Sequence, residues 1–144
     1  MALKWTHTFF RVNDIDLMVL GLGIDIIEIE RIKKSIERYG ERFLNKVFTK
    51  EEIRYCNTKF NKYQHYAARF AAKEAVYKAL ASGWKEGLRW KDIEIQNDSS
   101  GMPSINSKGK LQSFLSDDTQ LRISISHSEN YVTSVAIIFK NNSA

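Results

Sequence analysis

The chain has 144 residues, a 43% hydrophobic fraction and one proline, one domain's length with enough apolar material for a core. Its single cysteine, Cys56, excludes an internal disulfide and a cysteine-rich zinc site and fits a reducing cytoplasm. A net charge of +5 suits an acidic partner, and no apolar run nears the roughly 20 residues of a membrane span.

Residues 1–17 read as an N-terminal extension of unknown role, strand-like near Thr8 to Val12 and without a signal peptide's apolar core. A single domain then runs over 18–144. Met18 to Ile27 reads as a buried strand. Its period of two puts Gly21, Gly23 and Asp25 on one face, with two missing side chains clearing space beside one carboxylate. Two readings stand for Asp25: a site carboxylate compensated by a cation or donors, or the N-cap of the next helix. The glycines are not a dinucleotide fingerprint, because they lie inside the strand and no third follows.

Glu28 to Tyr39 is an amphipathic helix stopped by Gly40, with Ile29, Ile32 and Ile36 inward and Arg31, Lys33, Lys34 and Arg38 outward. Thr49-Lys-Glu-Glu52 opens a short helix with a capping box, and Phe48 with Ile53 suits a hydrophobic staple. A long helix is predicted from Tyr63 to Ser82, ending at Gly83. Ala68, Ala72, Val76 and Leu80 form one apolar stripe on it; Phe70, Glu74 and Lys78 form another. Glu74 and Lys78 are either a solvated surface pair or two groups of a site held on a rigid rod. Asp92 to Gln96 alternates as a strand, Asn97 to Gly101 is a turn, Met102 to Asn106 a short strand, and Gly109 to Ser116 a modest helix. Arg122 to His127 and Tyr131 to Phe139 form a hairpin. His127 shares the parity of Ile123 and Ile125, as a core histidine would, yet its place at a strand end between serines suits a phosphate.

Asp25, the Glu74/Lys78 face and His127 are the groups that carry chemistry. Two carboxylates with few histidines and no cysteine cluster favour a hard, oxygen-seeking cation, Mg²⁺ before zinc. From residues alone this reaches metal-assisted chemistry on a phosphate ester.

Gly21-Leu-Gly-Ile-Asp-Ile-Ile-Glu-Ile-Glu-Arg-Ile32 and Arg69-Phe-Ala-Ala-Lys-Glu-Ala-Val-Tyr-Lys-Ala-Leu80 resemble the two signatures of the holo-acyl-carrier-protein synthases, the small 4′-phosphopantetheinyl transferases. Phe48-Thr-Lys-Glu-Glu with Tyr55-Cys56, Asp92 to Pro103 and Ile125-Ser-His-Ser128 follow in the family's order, so the resemblance spans Met18 to Phe139. Met102 stands where the family commonly has lysine. The resemblance implies an α+β fold, a long helix packed on a small antiparallel sheet. It implies transfer of 4′-phosphopantetheine from coenzyme A to a serine of apo-acyl carrier protein, in fatty acid biosynthesis, leaving adenosine 3′,5′-bisphosphate. By the same resemblance, Asp25 and Glu74 hold Mg²⁺. Glu74 and Lys78 are catalytic, taking the serine proton and serving the leaving phosphate. Arg69, Lys73 and His127 bind coenzyme A. A cytoplasmic homotrimer with sites between subunits is implied too. Because the carrier is acidic, the helix bearing Arg31, Lys34 and Arg38 is the docking surface. A non-catalytic nucleic-acid-binding module is the competing class. Its basic residues would have to cluster and interleave with aromatics; here they are scattered.

Overall fold

The computed structural model describes residues 16–80 and 86–142. It opens with a long strand, β1 (Asp16–Glu28), followed by three helices, α1 (Ile29–Tyr39), α2 (Glu41–Val47) and α3 (Lys50–Asn57). The central helix α4 (Lys62–Ala79) comes next. A 3-10 turn at Trp90–Asp92 leads into a two-stranded hairpin, β2 (Ile93–Asn97) and β3 (Pro103–Ser107). The short helix α5 (Gly109–Phe114) precedes the last hairpin, β4 (Thr119–His127) and β5 (Tyr131–Asn142). β1 pairs antiparallel with β5, giving a three-stranded sheet in the order β1-β5-β4. A long helix on a small antiparallel sheet is the expected α+β architecture.

The sequence explains most of these choices. Thr49 caps α3 by accepting from the Glu52 amide, and the Glu52 side chain closes the capping box on the Thr49 amide at 2.8 Å. Gly40 ends α1 at φ 54°, a backbone angle that favours glycine, and α2 follows at once. α2 is not among the elements expected from the sequence. The helix expected to run to Ser82 stops at Ala79, with Leu80 already extended at its C-cap; the strand-like expectation at Thr8 to Val12 and the stop at Gly83 lie outside the described residues. The ladder already runs at Asp16, opposite Asn142, so the expected boundary after Leu17 falls inside β1.

What lies against the cleared face of β1 is helix backbone. A Cβ at Gly21 would stand 1.9 Å from the Ala79 carbonyl oxygen, and one at Gly23 would stand 2.0 Å from that of Ala75. Ala67, Ala71, Ala75 and Ala79 are all buried, so α4 seats an alanine face directly on the glycine-bearing strand. Core packing continues on two sides. Ala72, Val76 and Leu80 join Ile93, Ile95, Leu111, Ala136 and Ile138, while Phe48, Cys56, Tyr66 and Ile32 close a second cluster beneath α1 to α3. From Arg69 onward both flanks of α4 are buried, and only Phe70, Glu74, Tyr77 and Lys78 stay wholly or partly in solvent.

Candidate active site

Asp25 sits near the end of β1 opposite Ser134, its backbone carbonyl accepting a hydrogen bond from Thr133 Oγ1 at 2.9 Å. The capping alternative is not realised, since Glu28 occupies the N-cap of α1 and no side chain caps that helix. The Asp25 carboxylate instead accepts from Lys78 Nζ at 2.8 Å, and the same ammonium donates to the Ile24 carbonyl at 3.1 Å. Lys78 therefore reaches across from α4 to β1. This hydrogen bond is the main cause raising the Lys78 pKa; burial opposes it, and the charges of Asp25 and Glu74 raise it further. Lys78 is thus a fixed cation. Its side chain is 49% exposed, that of Asp25 14%, so the pair sits at a mouth that solvent reaches.

Glu74, one turn earlier on α4, lines the same cavity as Asp25. That cavity, of about 320 Å³, is also bordered by Arg31, Ser35, Phe43 and Phe70. Its donor set fits a hard cation: two carboxylates, with no thiol or imidazole in the lining. Among the described residues no group of three or more histidine, cysteine, aspartate or glutamate side chains stands ready to hold a metal unaided. A Mg²⁺ held here would take its remaining oxygens from water and from phosphates, as that ion commonly does.

A second cavity, of about 270 Å³, opens elsewhere on α4 and is lined by Tyr55, His65, Arg69, Asn97, Pro103 and His127, among others. The buried Arg69 guanidinium stacks over the Tyr55 ring at 4.0 Å from its centre and donates to Asn97 Oδ1 at 2.9 Å, while its buried Nε has no hydrogen-bond partner among the described residues. A guanidinium with an orphaned donor and two imidazoles around one opening suit an anion. Positions 69 and 74 lie about 140° apart around a helix, so this cavity and the carboxylate cavity use different faces of α4. His127 ends the edge strand β4, whereas Asp25 is on the opposite edge strand, β1, with β5 between. The residues read from the sequence as one constellation therefore separate, within one chain, into a carboxylate cavity and an anion cavity.

Lys73 belongs to neither. Its side chain is fully buried, its ammonium 2.8 Å from Glu52 Oε2 and donating to the carbonyls of Ile93 (2.6 Å) and Trp90 (3.0 Å). The expectation that Lys73 binds coenzyme A is corrected here, because all its donors are spent inside the protein. Lys34 and Arg38 are exposed on α1 as expected but away from the carboxylate cavity; Arg31 alone of the three borders it. His65 went unread in the sequence, although its spacing of four from Arg69 on a predicted helix was a usable signal. Glu52 was read only as a capping residue.

A family model described as the 4′-phosphopantetheinyl transferase superfamily matches residues 21–136. The chain belongs to this superfamily. A holo-[acyl-carrier-protein] synthase of Protochlamydia amoebophila is 51% identical over 120 residues, covering 83% of this chain and 98% of that protein. One from Chlamydia trachomatis serovar D is 49% identical over 119 residues, again 83% and 98%. Among solved structures, a holo-(acyl-carrier-protein) synthase from Bacillus anthracis in complex with CoA (3′,5′-ADP) superposes with a TM-score of 0.71. It is 30% identical, and the match covers 86% of this chain and 99% of that one. The synthase from Neisseria meningitidis gives a TM-score of 0.73 at 26% identity, with 84% and 98% covered. Against this phosphopantetheinyl transferase background, the match begins at Gly21, inside β1, and ends at Ala136, inside β5. The shared part thus includes both cavities.

Proposed function

We propose that the chain is a Mg²⁺-dependent holo-acyl-carrier-protein synthase, moving 4′-phosphopantetheine from coenzyme A to a serine of apo-acyl carrier protein, in the cytoplasm and in the service of fatty acid biosynthesis. The observation that carries the reading is that Asp25 and Glu74 line one cavity within the matched region, with the half-exposed Lys78 bonded to Asp25. The serine oxygen forms a bond to the β-phosphorus of the coenzyme A diphosphate. The bond from that phosphorus to the bridging oxygen breaks, and adenosine 3′,5′-bisphosphate leaves with the electron pair. Glu74 accepts the serine proton, directly or through a water. Lys78, held as an ammonium by Asp25, offsets charge on the departing phosphate. Asp25 and Glu74 would hold Mg²⁺, which when bound supplies electrostatic stabilisation of the diphosphate oxygens.

Arg69 and His127 take the phosphates at the nucleotide end of the donor, and the backbone from Asn97 to Pro103 walls the pocket. The separation of the two cavities supports a homotrimer in which the anion cavity of one subunit faces the carboxylate cavity of the next. The outward face of β1 gives the same support: Leu22, Ile24 and Ile26 are 66%, 65% and 67% exposed there, an apolar row of the kind subunits cover. Arg31, at the rim of the carboxylate cavity, together with Lys34 and Arg38 presents a cationic face to the acidic carrier. Residues 1–17 lie ahead of the match and have no part in this reading. Among the described residues no helix is long and apolar enough to cross a membrane.

Incubation with coenzyme A, Mg²⁺ and apo-acyl carrier protein, read by intact mass, tests the proposal. The carrier should gain one phosphopantetheine and fail to gain it when metal is withheld. A carrier of unchanged mass with metal present overturns the assignment.

A further inference from the structure

His65 faces the anion cavity from α4, one turn before Arg69, and its ring meets Tyr55 edge-on at 5.7 Å between ring centres. The charged and titratable groups around it come from every side of that cavity. Arg69 lies on its own helix, Lys59 on the segment between α3 and α4, His127 at the end of β4, and Tyr55 on α3. No carboxylate lines the cavity among the described residues. Among the described residues, three cationic or protonatable groups thus surround an imidazole with no anion to balance them, beside a buried guanidinium Nε that lacks a partner.

Resting on the reading of the chain as a coenzyme A-dependent transferase, we propose that His65 is a donor-binding residue that takes up a proton as a phosphate of coenzyme A enters this cavity. In the free protein, burial first, then the positive charges of Arg69, Lys59 and His127, hold His65 below its ordinary value of 6.5, so the ring is neutral near pH 7. A phosphate brings the missing negative charge within reach of the ring. It reverses the local field, favours imidazolium, and converts a neutral contact into a charge-assisted hydrogen bond. The proton comes from solvent, so donor binding consumes it, and donor affinity falls as pH rises. The role is positional and electrostatic: the proton stays on the ring through turnover and is returned when the adenosine bisphosphate leaves.

The test follows the imidazole ¹⁵N resonances of the full chain through a pH titration without carrier protein, so no turnover occurs. The chain has three histidines, and His65→Gln assigns the signal by its disappearance. Spectra are taken free, with coenzyme A, with 3′-dephospho-coenzyme A, and with sodium chloride at matched ionic strength. His65 is expected to titrate below 6.5 in the free protein and to rise by about one unit or more with coenzyme A, a tenfold change in proton affinity. A rise kept with the dephospho compound assigns the diphosphate as the partner, and a rise lost with it assigns the 3′-phosphate. An unmoved His65 titration in a protein that visibly binds coenzyme A overturns the inference, as does an equal rise in sodium chloride. Failure to bind coenzyme A at all instead overturns the transferase reading. In kinetics, His65→Gln should raise KM for coenzyme A about tenfold at pH 6 with kcat nearly unchanged, and the gap should narrow at pH 8.5. A gap independent of pH overturns the role of the proton.

Discussion

At the scale of single residues, the carboxylates divide by what surrounds them. Asp25 has a cation at 2.8 Å and an open cavity, whereas Glu94 is sealed and saturated. Burial alone would raise the Glu94 pKa. Hydrogen bonds from Thr49, Lys108 and Asn106, together with the Lys108 charge, outweigh it and bring the value to about 2 from 4.5. A depressed carboxylate contributes stability that is present above about pH 4.5 and lost as pH falls toward 2. After allowance for solvent around the half-exposed Lys108, the contribution is about 2 kcal/mol. Urea unfolding at pH 7 and pH 3 should show it, with Glu94→Gln narrowing the difference between the two midpoints. Asp25→Asn and Glu74→Gln, by contrast, should each lower kcat about 100-fold or more while circular dichroism and melting temperature stay near those of the parent. Near-normal turnover in either variant would remove that residue from the metal and proton assignments. Both carboxylates were legible from their sequence surroundings. The pairing of Glu52 with Lys73 was not, because the two lie on different helices, and His65 carried only its spacing from Arg69.

At the scale of elements, α4 is held by two devices of different character. One is steric: Gly21 and Gly23 let the carbonyls of Ala75 and Ala79 approach β1, which sets the height at which Glu74 and Lys78 emerge beside Asp25. Gly23→Ala should therefore cost about 3 kcal/mol or more, since the new Cβ meets backbone that cannot swing aside. Thermal unfolding measures it, and a loss below 1 kcal/mol would mean that the helix and strand slide freely. The other device is electrostatic. Glu52 caps α3, accepts from the Ile95 amide at 2.9 Å and pairs with Lys73, so one buried carboxylate ties α3, α4 and β2 together. Lys73→Met leaves that carboxylate without its cation and should destabilise by about 3–5 kcal/mol. Its KM for coenzyme A under folding conditions should stay near that of the parent, because Lys73 has no donor left for a ligand. The pairing was invisible in the sequence: Lys73 follows the signature's alanines as a surface helper would, and its partner is 21 positions away on another helix.

At the scale of the whole molecule, the two cavities on different faces of one helix lead to an experiment that single substitutions cannot supply. If the site forms between subunits, Asp25→Ala and Arg69→Ala damage different halves of it. Dissociating and remixing the two inactive proteins should restore part of the activity, because some mixed assemblies pair an intact carboxylate cavity with an intact anion cavity. Mixtures no more active than either parent would place the whole site within one chain. The cationic face of α1 belongs at this scale too. Arg31→Glu should raise KM for the carrier protein about tenfold with little change for coenzyme A, and the parent's advantage should shrink with added salt. Equal effects on both substrates would assign Arg31 to the cavity it borders and leave docking to other residues.

By itself the sequence determined most of the elements and the candidate residues for the chemistry. A capping box at Thr49, a strand carrying Asp25 and a helix carrying Glu74 and Lys78 are written in local spacing, which depends only on backbone geometry. Tertiary structure decided what each group faces. The space beside Gly21 and Gly23, open to a ligand on paper, is taken by helix backbone. Lys78, placed by spacing one turn from Glu74, also reaches Asp25, because a strand edge lies within reach of a long side chain. The three groups expected together divide between two cavities, because β5 enters the sheet between β1 and β4. Periodicity tells which side chains share a face; only packing tells what stands opposite that face.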